Sequence, residues 1–265
     1  MKKKGAHLTV KDVALRFGGI QALRSISLEA APSELIALVG PNGAGKTALL
    51  NCINGIYRPH AGEILLDGER LGDRPLCKMV EFGIARSFQH AELFAHLTVM
   101  ENLLIGRHRS FRAGPLLCGI YIRRAKSEEI DARRRIEFVI DFFELYRHRN
   151  TPVGMLPYGV QKIVGVARAL AGEPKLLLLD EPCTGLIHEE RENLARFILR
   201  IIHDLGMTIL WVEHDMQMVS DLADRVIVLN HGAKIADGSP QEVATRPEVL
   251  TAYLGGSALL NPSLS

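Results

Sequence analysis

At 265 residues with 47% hydrophobic side chains, the chain can fill one sizeable core and reads as a single domain with two lobes. Thirty-two Lys and Arg against thirty Asp and Glu leave a net charge of +2, which excludes a global pull toward nucleic acid and makes any basic surface local. No stretch approaches the roughly 18 apolar residues of a membrane-spanning helix. The basic start Met1–Lys4 leads into Gly5-Ala6-His7 rather than an apolar run, so the expectation is a cytoplasmic chain without a leader.

In chain order, the first third reads as short strands over His7–Phe17, Ser25–Ala30, Leu35–Val39 and Gly62–Asp67, punctuated by Phe17-Gly18-Gly19 and Pro32-Ser33. A helix fits Lys46–Asn54. The middle, from about Thr98 to Ala171, changes to helical periodicity in Val99–Ile105 and Ile130–Leu145, where Ile130, Ile136, Val139, Ile140 and Phe143 share a face. Between Arg107 and Arg135 basic residues outnumber acidic ones. This is either a solvated helix face or a basic surface facing anionic lipid. The last third alternates strand Leu176–Leu179, helix Glu189–His203, strand Thr208–Val212, helix Met216–Ala223 and strand Val226–Leu229, the pattern of a parallel sheet covered by helices. Asn261–Ser265 has little to pack. Cys52, Cys77, Cys118 and Cys183 show no metal spacing and read as small buried hydrophobes.

Two motifs carry chemistry. Gly40-Pro41-Asn42-Gly43-Ala44-Gly45-Lys46-Thr47 follows an apolar strand and opens a helix, as a phosphate loop must. Its glycines let backbone amides approach phosphate oxygens, the helix N-terminus adds positive potential, Lys46 would bridge β- and γ-phosphates, and Thr47 would offer its hydroxyl to Mg²⁺. Leu176–Leu179 then delivers Asp180 and Glu181 at a strand end, where open parallel sheets bind ligands. Asp180 suits Mg²⁺ through water, and Glu181 could polarise the attacking water. Together these motifs define a nucleoside triphosphatase.

Further segments resemble ABC ATPases. Arg86-Ser87-Phe88-Gln89-His90 is similar to the glutamine loop, Leu156–Lys162 to the signature motif ahead of a helix Ile163–Leu170, Gly185-Leu186-Ile187 to the D-loop, and Trp211–Asp215 to the switch-histidine strand. Phe17 occupies the place of the adenine-stacking aromatic, although spacing alone would suit a core residue equally, and His214 alone would read as structural. The resemblance spans Leu8 to about Leu254, and Phe17-Gly18-Gly19, Phe88-Gln89-His90, the Tyr-Gly signature and Ala252-Tyr253-Leu254-Gly255 are similar to branched-chain (hydrophobic) amino-acid importer ATPases.

That resemblance implies an α/β fold: a P-loop NTPase (RecA-like) core with an antiparallel β subdomain, over 1–92 and 172–265, and an inserted α-helical subdomain over 93–171. It implies ATP and Mg²⁺, with Lys46, Glu181 and His214 as catalytic residues. Phe17, Gly40, Pro41, Asn42, Gly43, Ala44, Gly45, Lys46, Thr47, Ala48, Gln89, Tyr158 and Gly159 would contact nucleotide, and Thr47, Gln89 and Asp180 the metal. It also implies permease subunits, a second ATP-binding subunit (identical or not), indirectly a substrate-binding protein, no nucleic acid, and a peripheral position on the cytoplasmic face of the inner membrane. Uptake of a small polar solute, branched-chain or other amino acids, is the expected task. The signature departs from the family's usual Ser, Gly and Gln at Pro157, Tyr158 and Val160. Ala48 lacks a hydroxyl and Ile187 replaces a polar D-loop residue, which leaves room for a slow or asymmetric enzyme.

Overall fold

The computed structural model describes residues 5–72, 74, 76–87, 93–107 and 123–258, with backbone alone for 76–77, 123–129 and 254–258. β1 (Leu8–Phe17) and β2 (Ile20–Ala30) form an antiparallel pair turned at Gly18-Gly19. With β4 (Ala61–Leu66) and β5 (Glu69–Arg70) they make a four-stranded antiparallel sheet of order β2-β1-β4-β5. The second sheet runs β10-β9-β3-β8-β7-β6, comprising β3 (Leu35–Val39), β6 (Ile84–Ser87), β7 (Leu176–Asp180), β8 (Thr208–Val212), β9 (Arg225–Asn230) and β10 (Ala233–Gly238). All its pairings are parallel except the β9–β10 edge.

β3, β7 and β8 are buried along their whole length, which is why they are near-continuous apolar runs rather than alternating ones. Alternate residues of β3 serve two cores. Ile36 and Leu38 face the antiparallel sheet and α1 (Lys46–Ile53). Leu35, Ala37 and Val39 face a core that continues through α5 (Tyr158–Ala171) and α6 (His188–Leu205) into α3 (Val99–Gly106) and α4 (Arg123–Phe142). The helical region therefore shares one hydrophobic core with the sheet. The other α-helices among the described residues are α2 (Leu76–Phe82), α7 (Met216–Leu222), α8 (Pro240–Ala244) and α9 (Pro247–Ala258).

Several boundaries move. β2 begins at Ile20 rather than Ser25, because the strand is held on β1 from Phe17↔Ile20 onward. α4 ends at Phe142 rather than Leu145, and Ile130 is exposed while Ile136, Val139, Ile140 and Phe143 are buried. α5 starts at Tyr158, not Ile163, so the signature residues are its first turn. The basic run is not all surface. Arg107 is buried and donates to Glu173 at 2.6 Å, and Arg135 bonds the same carboxylate. Cys52 and Cys183 are buried free thiols, whereas the Cys77 side chain, Cys118 and Asn261–Ser265 lie outside the described residues.

Candidate functional site

A cavity of about 600 Å³ opens beyond the C-terminal ends of β3 and β7, floored by the 42–48 turn and walled by Ile20, Arg24, Glu181 and His231. β3 delivers Gly40 at φ 145°, and a Cβ there would run into the Leu229 carbonyl oxygen, so only glycine fits. Gly45 takes φ 102° at the N-cap of α1, packed on the Ala22 carbonyl. Lys46 opens α1 and folds back, its ammonium donating to Gly40 O at 2.6 Å and Pro41 O at 3.0 Å. Burial lowers its pKa below the ordinary lysine value, against the opposing pull of the Glu181 and Asp180 charges. Thr47 and Ala48 follow along the same wall. Amides at a helix start beside an ammonium make an anion-seeking surface.

β7 ends on Asp180, whose carboxylate accepts from Arg86 Nη2 at 2.5 Å, each side chain only 5% exposed. Arg86, on β6, also donates to Asn51 of α1, tying three elements together. Glu181 takes φ 47° and donates its amide to Val212 O at 3.0 Å, which turns its side chain away from that of Asp180. Glu181 Oε1 lies 2.6 Å from His214 Nε2, a carboxylate–imidazole pair beside the loop. Between β8 and His214, Glu213 is buried and accepts from Trp211 Nε1 at 3.2 Å. Burial pushes its carboxyl above the usual glutamate value.

Other expected residues fall elsewhere. Phe17 is 47% exposed, its ring edge-on to Tyr57 with centroids 5.1 Å apart, so it is not a core residue. Gln89 lies outside the described residues. Tyr158 and Gly159 stand outside the cavity. The Tyr158 ring lies against Gly185 and under the Lys162 ammonium, and Gly159 packs on the Glu190 carboxyl.

Residues 23–184 match the family described as ABC transporter. The chain belongs to the ABC transporter family. Residues 233–258 match a second family, branched-chain amino acid ATP-binding cassette transporter. This ABC chain is 38% identical to the high-affinity branched-chain amino acid transport ATP-binding protein LivG of Escherichia coli K12, over 94% of its own length and 97% of the relative. It is 36% identical to BraF of Pseudomonas aeruginosa, which carries the same description, over 94% and 97%. A crystal structure of an ABC cassette in its ADP conformation superposes with a TM-score of 0.82 at 27% identity, covering 96% of this chain and 100% of that one. A dimeric cassette bound to ADP and Pi gives 0.73 at 26% identity, covering 88% and 98%. As an ABC cassette, the protein is an ATP-binding, ATP-hydrolysing subunit of a transporter.

Arg86 and Glu213 escaped the motif reading of this ABC ATPase, although both lie inside quoted segments. The arginine amid apolar β6 was the available signal for the first. Glu213 had none, since an acid after a strand ordinarily faces water.

Proposed function

We propose that the cavity takes ATP with Mg²⁺ and that this subunit energises import of branched-chain or other amino acids. The observation that carries the reading is the Glu181–His214 pair at 2.6 Å beside the Gly40–Thr47 loop. Gly43, Ala44, Gly45 and Lys46 bind the phosphates, with Pro41 and Asn42 shaping the turn, Ala48 beside the α-phosphate and Phe17 under the base. Glu181 accepts the proton of a water whose oxygen attacks the γ-phosphorus as its bond to the β-bridging oxygen breaks. His214 orients Glu181 and contacts the γ-phosphate, and Lys46 balances charge on the transferring oxygens.

The donor set fits Mg²⁺. The Thr47 hydroxyl and Asp180 carboxylate are hard oxygens, and the described residues hold no cluster of three acidic, His or Cys side chains that would suit another metal. Bound there with Gln89, the ion would neutralise phosphate charge. Arg86 keeps the Asp180 carboxylate oriented meanwhile.

Tyr158 and Gly159 stand apart from this cavity, which supports a second subunit, identical or not, bringing its α5 start to the γ-phosphate. Nucleotide then binds the closed pair preferentially. Permease subunits, and through them a substrate-binding protein, complete the assembly on the cytoplasmic face of the inner membrane, with no nucleic acid involved. No described helix is long and apolar enough to cross a membrane. We propose 93–171 as the helical subdomain and 1–92 with 172–265 as the nucleotide core. The test is Glu181→Gln in the assembled transporter. Turnover should fall about 100-fold or more, the usual worth of a general base, with ATP affinity kept; parental turnover would overturn the assignment.

A further inference from the structure

Beneath the acidic end of β7, the edge strand β6 carries a charged side chain into an apolar layer. β6 and β7 pair in parallel, Ile84 beside Leu176 and Arg86 beside Leu178. Side chains alternate along a strand, so Ile84, Arg86, Leu176, Leu178 and Asp180 share the face that packs on α1. Arg86 reaches along this face to Asp180, Nη2 to Oδ2 at 2.5 Å, with each side chain only 5% exposed. It also donates to Asn51 Oδ1. Asn51 lies four residues after Thr47 on α1, on the same helix face and one turn further along. The guanidinium therefore touches Asp180 itself and the turn of α1 below Thr47, the two residues whose oxygens suit Mg²⁺.

Stability gives little reason for an arginine here. A buried ion pair gains little over well-packed apolar side chains of similar volume, because both partners lose their hydration. Its effect on the charge of the site is larger. Among the four groups, Lys46 and Arg86 balance Asp180 and Glu181, which leaves a divalent cation no net charge to seek. Nucleotide phosphates supply the missing negative charge. We infer that Arg86 is a positioning residue that makes divalent-cation binding conditional on nucleotide. It holds Asp180 neutralised, and metal and phosphates are taken up as one ligand. This rests on the reading of Thr47 and Asp180 as the protein donors to Mg²⁺.

Mn²⁺ serves as the probe, since it accepts the same hard oxygen donors. Equilibrium dialysis measures Mn²⁺ retained by the full chain, with and without ATP, in the parent, Arg86→Gln, Arg86→Lys and the double variant Arg86→Gln/Asp180→Asn. Melting temperatures are recorded in parallel. Without ATP, Arg86→Gln should bind Mn²⁺ about tenfold or more tightly than the parent, because a positive charge close to a buried carboxylate has been removed. Arg86→Lys keeps the charge and should match the parent, and Asp180→Asn should cancel the gain. An arginine with a purely structural role would change melting temperatures without creating a cation site. Unchanged Mn²⁺ affinity in folded Arg86→Gln overturns the inference, as does an equal gain in Arg86→Lys or a gain that survives Asp180→Asn. So does a nucleotide-free parent that binds Mn²⁺ with a Kd of about 0.1 mM or tighter, a measurement that needs no variant to fold. A parent that retains no Mn²⁺ when ATP is bound would instead sink the assignment of Thr47 and Asp180 to the metal.

Discussion

Glu213 shows how much a single side chain's surroundings decide. It faces the Trp211 indole N–H, the backbone and ring of His214, and the Glu181 carboxylate, and desolvation dominates, raising its pKa. The folded chain then holds this proton more tightly than the unfolded chain does. Its contribution to stability is complete below the ordinary glutamate range and falls as pH rises from there through the raised folded value. Glu213→Gln keeps an acceptor for Trp211 without the charge. It should melt higher than the parent at about pH 7 and together with it near ~pH 4, where both side chains are neutral. A melting difference that stays constant across that range contradicts the assignment. Arg86 teaches the same lesson from the other side. Its place in the glutamine-loop segment is plain in the sequence, but its bonds to Asp180 and Asn51 join positions 94 and 35 residues away.

Among the elements, the starts of α5 and α6 meet beside Gly185. α5 starts at Tyr158 despite the adjoining Pro157 and Gly159, which read as helix breakers. Proline is tolerated ahead of the first turn, and Gly159 stands where an added Cβ would collide with the Glu190 carboxyl, at the cost of about 1 kcal/mol that glycine carries in a helix. At the start of α6, the N-cap Ile187 is 65% exposed, and only Glu190 reaches back, accepting from its amide at 3.2 Å. Isoleucine cannot accept a bond from the first-turn amides, whereas asparagine can. Ile187→Asn should therefore stabilise the subunit by about 1 kcal/mol, and should raise turnover in the assembled transporter by restoring a polar group at the D-loop. Denaturant melts and ATPase rates read the two effects separately. Higher stability with unchanged turnover would leave only the capping effect.

At the scale of the whole molecule, two charged junctions tie the helical region together, one to α6 and one to the turn that leads into β7. Arg196 grips Glu144 through bonds of 2.6 and 2.9 Å at the exposed end of α4. Arg107 and Arg135 converge on Glu173, in the turn between α5 and β7. The second should matter more, because Arg107 is buried and exposed pairs contribute little. Glu173→Gln leaves the buried Arg107 guanidinium only its longer pair with the exposed Asp131, at 3.8 Å, and should destabilise the chain by about 3 kcal/mol. Glu144→Gln should cost about 1 kcal/mol or less. Chemical denaturation of both variants orders them, and equal losses would show that burial does not set the hierarchy.

The alternation of strands and helices, the phosphate loop between β3 and α1, and the acidic pair ending β7 were legible in the sequence, since each depends on neighbours within a few residues. Chain periodicity and glycine placement are local chemistry. Only the tertiary structure decided that the helical region shares a core with the sheet and that Arg107 is buried. It also decided that Glu181 turns toward His214, and that Tyr253 reaches back to Met216. Those contacts join residues far apart in the chain. They are set by which strands lie side by side in β9-β3-β8-β7, an order that burial of whole faces selects and no local pattern of residues spells out.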